Sequence, residues 1–350
     1  MRTKLIAAIA ILFAAGCGEQ APAPQDNQPV DTKVMEVNVY SHRHYDIDQV
    51  LFEEFEKETG IHVNVVNASA DELIVRMENE GADSPADVLL TSDAGRLVRA
   101  QDQGLLQGIN SDVLTEAVPA NMRDADGNWF GLTMRARVIA YNPETVDAAD
   151  LSTYEDLANE KWNGRLLARS SSNIYNQSLM ASIIANNNDS VALAWATAVR
   201  GNMAREPKGN DRDQVKAIAA GEGDIAIVNT YYIGKLVNSD NELEREAGEG
   251  VKLFFPNQDG RGTHVNVSGG GVAKHAPNKE NAIKLLEFLT REDVQQRFAD
   301  GNYEYPVNQK ASPSELLQSW GEFKTDALPL KALGTNNQQA VALFNEAGWN

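Results

Sequence analysis

The chain has 350 residues, 42% of them hydrophobic and 23% charged, with 26 Gly and 12 Pro. That length supports two domains with their own cores, and the composition excludes a coiled coil, a collagen-like fibre and a mostly disordered chain. Fifty acidic residues against 31 basic ones leave a formal charge of −19, and no basic stripe is segregated. Nucleic acid and anionic lipid are therefore poor partners, whereas a cation meets a favourable field.

Arg2 and Lys4 precede an apolar run from Leu5 to Ala15, then Gly16 and the single cysteine, Cys17. This is the pattern of a secretory signal, and the run is too short for a permanent bilayer span. Leu12-Phe13-Ala14-Ala15-Gly16-Cys17 resembles a bacterial lipobox, with Ala14 where Leu is usual. The resemblance implies residues 1–17 as a lipoprotein signal and a lipid anchor on Cys17; an ordinary cleaved signal is the alternative. Residues 18–33 carry three prolines and no aromatic side chain, which predicts a flexible tether. The body beyond it reads as exported and extracytoplasmic or periplasmic.

Val34–Tyr40 carries apolar residues on both faces, which predicts a central strand. Ile47, Val50, Leu51 and Phe55 then recur at helical spacing, with Asp46 or Asp48 to cap the helix and Gly60 to end it. Ile61–Val66 predicts a strand, Asp71–Glu80 a helix and Asp87–Leu90 a third strand, hence parallel strand–helix–strand units of an α/β fold. Further strands are expected at Val138–Tyr141, Ile225–Val228 and Val265–Val267. Helices are expected at Val191–Val199, Gln214–Ala220, Glu280–Leu289 and Gln339–Ala347. The predicted organisation is a first lobe over 34–132, a second over 133–261 and a return to the first over 262–308. Residues 309–350 supply C-terminal helices on the second lobe.

Enzyme signatures are missing from the sequence: no phosphate loop, no His-Glu-x-x-His and no Gly-x-Ser-x-Gly elbow. Gly269-Gly270-Gly271 reads as a tight crossover turn. Of the five histidines only His42 and His44 are close in sequence, and His42 reads as a solvated loop residue. Ser170-Ser171-Ser172-Asn173 reads as a helix cap, with an anion cradle as the alternative. Trp129-Phe130-Gly131 reads as core or hinge packing.

Tyrosines carry more information. Tyr231-Tyr232 falls where a strand ends and a helix begins, the crevice position of open α/β sheets; one core and one surface tyrosine is the alternative. Tyr45 occupies the equivalent place after the first strand, and Tyr141 ends another. Four phenols gathered together need a strong cation, because each has an unperturbed pKa near 10. A ferric ion, hard and oxygen-seeking, supplies that reason.

From about residue 34 onward the chain resembles the bacterial periplasmic ferric-iron-binding proteins, the receptors of iron ABC transporters. The resemblance rests on Val39-Tyr40-Ser41-His42-Arg43-His44-Tyr45, Ser84-Pro85-Ala86-Asp87-Val88, Arg135-Ala136-Arg137-Val138-Ile139-Ala140-Tyr141-Asn142 and Asn229-Thr230-Tyr231-Tyr232. It implies the type II periplasmic-binding-protein fold, two lobes with mixed central sheets around a cleft. It also implies Fe(III) as the transported ligand, no catalysis, an ABC permease as partner and a monomer. The implied ligands are Tyr231, Tyr232, Tyr141 and Tyr45, with His44 as an additional ligand or an outer hydrogen-bond donor.

One branch of the family uses a His, a Glu and a bound anion. Ser92 stands here where that Glu is expected and Asp93 reads as a helix cap, so the pattern resembles the tyrosine-rich cyanobacterial branch. A synergistic anion is thereby left open. Arg43 and Arg137 are the basic residues expected near the phenolates. The competing readings are a receptor for phosphate, phosphonate, a polyamine or a sugar, a ferrous receptor, and an exported enzyme using acidic side chains.

Overall fold

The computed structural model describes residues 35–43 and 45–349. The signal, Cys17, the tether and His44 lie outside the described residues. β1 (Glu36–Ser41), α1 (Asp46–Thr59), β2 (His62–Asn67), α2 (Ala70–Glu80) and β3 (Val88–Thr91) form the expected parallel units. Asp48 helps to cap α1 as expected, its Oδ2 accepting from the Tyr45 N–H at 3.4 Å. Tyr45 is the N-cap, with extended backbone (φ −86°, ψ 144°), while Asp46 and Asp48 lie in the first turn. The helix ends at Gly60, whose φ of +70° suits glycine.

α3 (Ala94–Asp102) and α4 (Asp112–Ala117) lead into β4 (Phe130–Tyr141). Then come β5 (Leu166–Leu167), α5 (Ile174–Asn186), α6 (Asp189–Gly201), α7 (Asp211–Ala219), β6 (Ile225–Asn229) and α8 (Thr230–Val237). α9 (Glu242–Glu249), β7 (Lys252–Phe254), β8 (Val265–Val272), α10 (Lys279–Leu289), α11 (Glu292–Asn302) and β9 (Tyr305–Pro306) follow. α12 (Glu315–Ser319), α13 (Lys331–Thr335) and α14 (Asn337–Glu346) close the chain.

The strand order is β2-β1-β3-β8-β4-β6-β5, with β7 and β9 also paired to β4. β4 is 12 residues long, far longer than the Val138–Tyr141 strand expected from sequence, because its halves serve two sheets. From Phe130 to Ala136 it runs antiparallel to β8, and from Arg137 to Tyr141 antiparallel to β6. Each sheet carries its own helices, which makes two lobes. A second crossing lies alongside, where the Arg137 N–H donates to the His264 carbonyl just before β8.

Gly269-Gly270-Gly271 is not a crossover turn. The three residues lie within β8, between β3 and β4. A Cβ on Gly269 would stand 2.5 Å from the Phe130 carbonyl oxygen, and one on Gly271 2.4 Å from that of Asn128. Close backbone approach explains these glycines.

Trp129 and Phe130 are buried in the core where β4 begins. At the other end of the chain Trp349 is fully buried against Trp195 and Phe344, with ring centroids 5.9 and 4.9 Å away. α14 packs on α5 and α6, whereas α13 touches both α5 and α3. Among the described residues no helix is long and apolar enough to cross a membrane.

Candidate metal centre

Three helix starts converge in the cleft. Tyr45 caps α1 behind β1, and Tyr231 and Tyr232 fill the first turn of α8 behind β6. Tyr175 occupies the first turn of α5, where Asn173 Oδ1 accepts from its N–H at 3.0 Å. The 170–173 segment is thus a cap, as its composition suggested. All these positions face the positive end of a helix, which favours a developing negative charge.

The Tyr231 ring centroid lies 6.5 Å from that of Tyr45 and 4.2 Å from that of Tyr232. The Tyr231 hydroxyl donates to the Tyr175 hydroxyl at 3.1 Å. Tyr231 is 2% exposed, while Tyr45, Tyr175 and Tyr232 are half-buried. Burial pushes the Tyr45, Tyr231 and Tyr232 phenols well above their usual range. Neighbours add to it: Glu304 and Tyr175 at Tyr45, Tyr175 and Tyr45 at Tyr231, Tyr175 and Asp211 at Tyr232. Such phenols are neutral at pH 7 and ionise only against a strong local cation.

Tyr141 does not join them. It pairs with Ile225 at the start of β6, whereas the tandem tyrosines follow Asn229, which pairs with Arg137. Four strand positions, about 13 Å, separate the two ends. Strand ends mark the cleft for parallel strands, but this half of β4 runs antiparallel, so its end points away. Tyr175, which sequence reasoning missed, stands where Tyr141 was expected.

Fixed positive charge surrounds the phenols. Lys235 Nζ lies 4.1 Å from the Tyr45 ring centroid and 5.6 Å from that of Tyr231. The Arg135 and Arg169 guanidinium carbons lie 5.3 and 5.7 Å from the Tyr175 ring. Arg43 is 5.0 Å from the Tyr45 ring, but its buried guanidinium is held by Asp48 at 2.8 Å and Glu304 at 3.2 Å. Arg137 also differs from expectation. Instead of reaching toward Tyr141 it binds Asp211 at 2.6 Å, Asn229 Oδ1 at 3.1 Å and Asn176 Oδ1 at 2.6 Å. It therefore ties together the segments that carry Tyr175 and the tandem pair.

Among the described residues no group of three or more His, Cys, Asp and Glu could hold a metal ion. Asp93 caps α3, accepting from the Gly95 N–H at 2.8 Å and from the Ser178 hydroxyl at 3.0 Å. His42 is not simply solvated, because its Nδ1 pairs with the Ser92 hydroxyl at 2.8 Å. The concentrated oxygen donors of the cleft are phenols, which suit a hard, highly charged cation.

Residues 51–325 match the model of a family described as bacterial extracellular solute-binding protein. The chain is 49% identical over 335 residues to iron uptake protein A1 of Synechocystis sp., covering 96% of this chain and 92% of that protein. The solved structure of a Trichodesmium protein (IdiA, FutA) with iron and citrate superposes with a TM-score of 0.88 at 50% identity, covering 90% of this chain and 100% of the other. The ferric binding protein from Campylobacter jejuni gives a TM-score of 0.85 at 42% identity, with 90% and 100% covered.

Proposed function

The chain belongs to the bacterial extracellular solute-binding protein family, and we propose that it is the Fe(III) receptor of an ABC importer, holding iron with four phenolates. It is a non-catalytic, bilobed carrier. Tyr45, Tyr175, Tyr231 and Tyr232 are the ligands, and His44, next to Tyr45 in the chain, is a fifth donor. The observation that carries this reading is the convergence of those four phenols on three helix N-termini.

Four phenolates on Fe(III) carry a formal charge of −1. Lys235 offsets it from beside the rings, aided by Arg135 and Arg169, which are themselves paired with Asp93 and Asp211 at 3.3 Å. Tyr45 belongs to one lobe and the other three to the second, so iron that binds all four favours the closed arrangement. A permease then reads the closed surface, and protons or reduction of the metal help release. The mature protein is a monomer anchored to a membrane through lipid on Cys17.

Competition with a calibrated ferric chelator tests the site. Replacing both Tyr231 and Tyr232 by Phe should abolish loading, and undiminished affinity in that folded variant would reject it.

A further inference from the structure

Beside the tyrosine cluster the lobes touch at one unusually close point. A Cβ on Gly234 of α8 would stand 2.4 Å from Cγ of Tyr303, 2.5 Å from its Cβ and 2.8 Å from its Cδ2. The Tyr303 ring is therefore seated directly on the backbone of the helix that carries Tyr231 and Tyr232. Gly234 comes from the lobe of β6, and Tyr303, which ends α11, from the lobe of β8 and β9.

Both residues run against local preference. Gly234 lies inside a helix and is not among the glycines with positive φ, so alanine would serve the helix better. Tyr303 occupies the C-cap of α11 with φ +58°, a left-handed conformation for which glycine is the ordinary choice. A glycine stands where the helix wants a side chain, and a bulky ring where the turn wants none. The two exceptions meet at a single contact, and that contact explains both.

The neighbouring geometry connects this contact to the metal site. Lys235, next to Gly234, sits 4.1 Å from the Tyr45 ring. α8 is thus held between two first-lobe rings, Tyr303 on Gly234 and Tyr45 under Lys235. Those two rings stand on elements packed against each other, since α11 packs on α1 and Gly301 lies against Ile47.

We infer that Gly234 is a notch that receives the Tyr303 ring as the lobes close, and that this seat sets how near Tyr45 comes to Tyr231 and Tyr232. Gly234 and Tyr303 are positioning residues for iron capture; the inference rests on the ferric reading of the site. A methyl group at 234 would meet the ring before the phenols reach a common ion. The lobes would stop short.

The test compares wild type, Gly234→Ala and Gly234→Ala/Tyr303→Gly, which also removes the Cβ that would stand 2.5 Å from the new methyl group, each checked for a cooperative apo unfolding transition. Fe(III) affinity is read by chelator competition and closure by X-ray scattering with and without iron. Gly234→Ala should weaken loading by about tenfold or more and leave the loaded particle less compact than wild type. The double variant, with the obstructing ring and its Cβ both gone, should regain most of both. A Gly234→Ala protein that loads and compacts like wild type overturns the notch. So does a double variant as impaired as the single one, which would place the loss inside α8. Failure of wild type itself to bind Fe(III) would instead reject the ferric site.

Discussion

The Tyr231 hydroxyl donates a 3.1 Å hydrogen bond to the Tyr175 hydroxyl, joining the first turn of α8 to the first turn of α5. Two phenolate oxygens that close would repel each other, and a shared cation would offset that repulsion. The contact links two of the proposed ligands across two helix N-termini.

Tyr175→Phe should therefore damage loading while Tyr141→Phe should not. The loss at Tyr175 should exceed the roughly 10–100-fold that removing an outer partner of a metal ligand costs. Chelator competition measures both. Equal affinities for the two variants would return Tyr141 to consideration.

The raised phenols give the pH dependence a sign. Tyr45, Tyr231 and Tyr232 hold their protons in the empty protein at neutral pH, and the four-phenolate proposal requires their loss on loading. Affinity should fall with acidification, by about tenfold per pH unit for each proton displaced. Iron supplied as a ferric chelate to weakly buffered protein should release more protons than the same chelate titrated into a protein-free blank. Loading without proton release would contradict phenolate ligation.

Stability of the empty protein should carry a separate signal from His264. Burial, then Arg135, Arg137 and Arg261, push its pKa down from 6.5 to about 3. The unfolded chain binds that proton first, so this contribution is present above pH 6.5 and is lost as pH falls toward about 3. Urea midpoints across that window should show the slope, and His264→Gln should flatten it.

Arg137→Met should cost about 2–3 kcal/mol, because it removes the nearer of the two cationic partners of Asp211, leaving Arg169 at 3.3 Å, and leaves Asn229 Oδ1 and Asn176 Oδ1 without their shared donor. Urea unfolding reads the loss. A variant as stable as wild type would show that the tie between the two tyrosine segments is dispensable.

Local signals were legible where they act within a few residues. Gly60 ends α1 as its position suggests, and the tandem tyrosines do open a helix behind β6. What the sequence hid was strand direction. Val138–Tyr141 alternates like any strand, and nothing in it says that β4 runs antiparallel to β6 and carries Tyr141 away from the cleft. Tyr175 was hidden for the complementary reason: it follows Asn173 in a segment whose serines and asparagine announce a cap or an anion cradle, neither of which points to a phenol. Two tyrosines in first-turn positions, at 175 and 231, were the available clue. Gly269–Gly271 misled because glycine marks both turns and close strand approach, and only β3 and β4 on either side decide between them.

The visible spectrum of the protein, purified without its signal and titrated with Fe(III), tests the central claim most directly. The account predicts a phenolate-to-ferric charge-transfer band that grows to one equivalent of iron and shifts or weakens in Tyr175→Phe and Tyr231→Phe. A protein that stays colourless at full iron occupancy would contradict it.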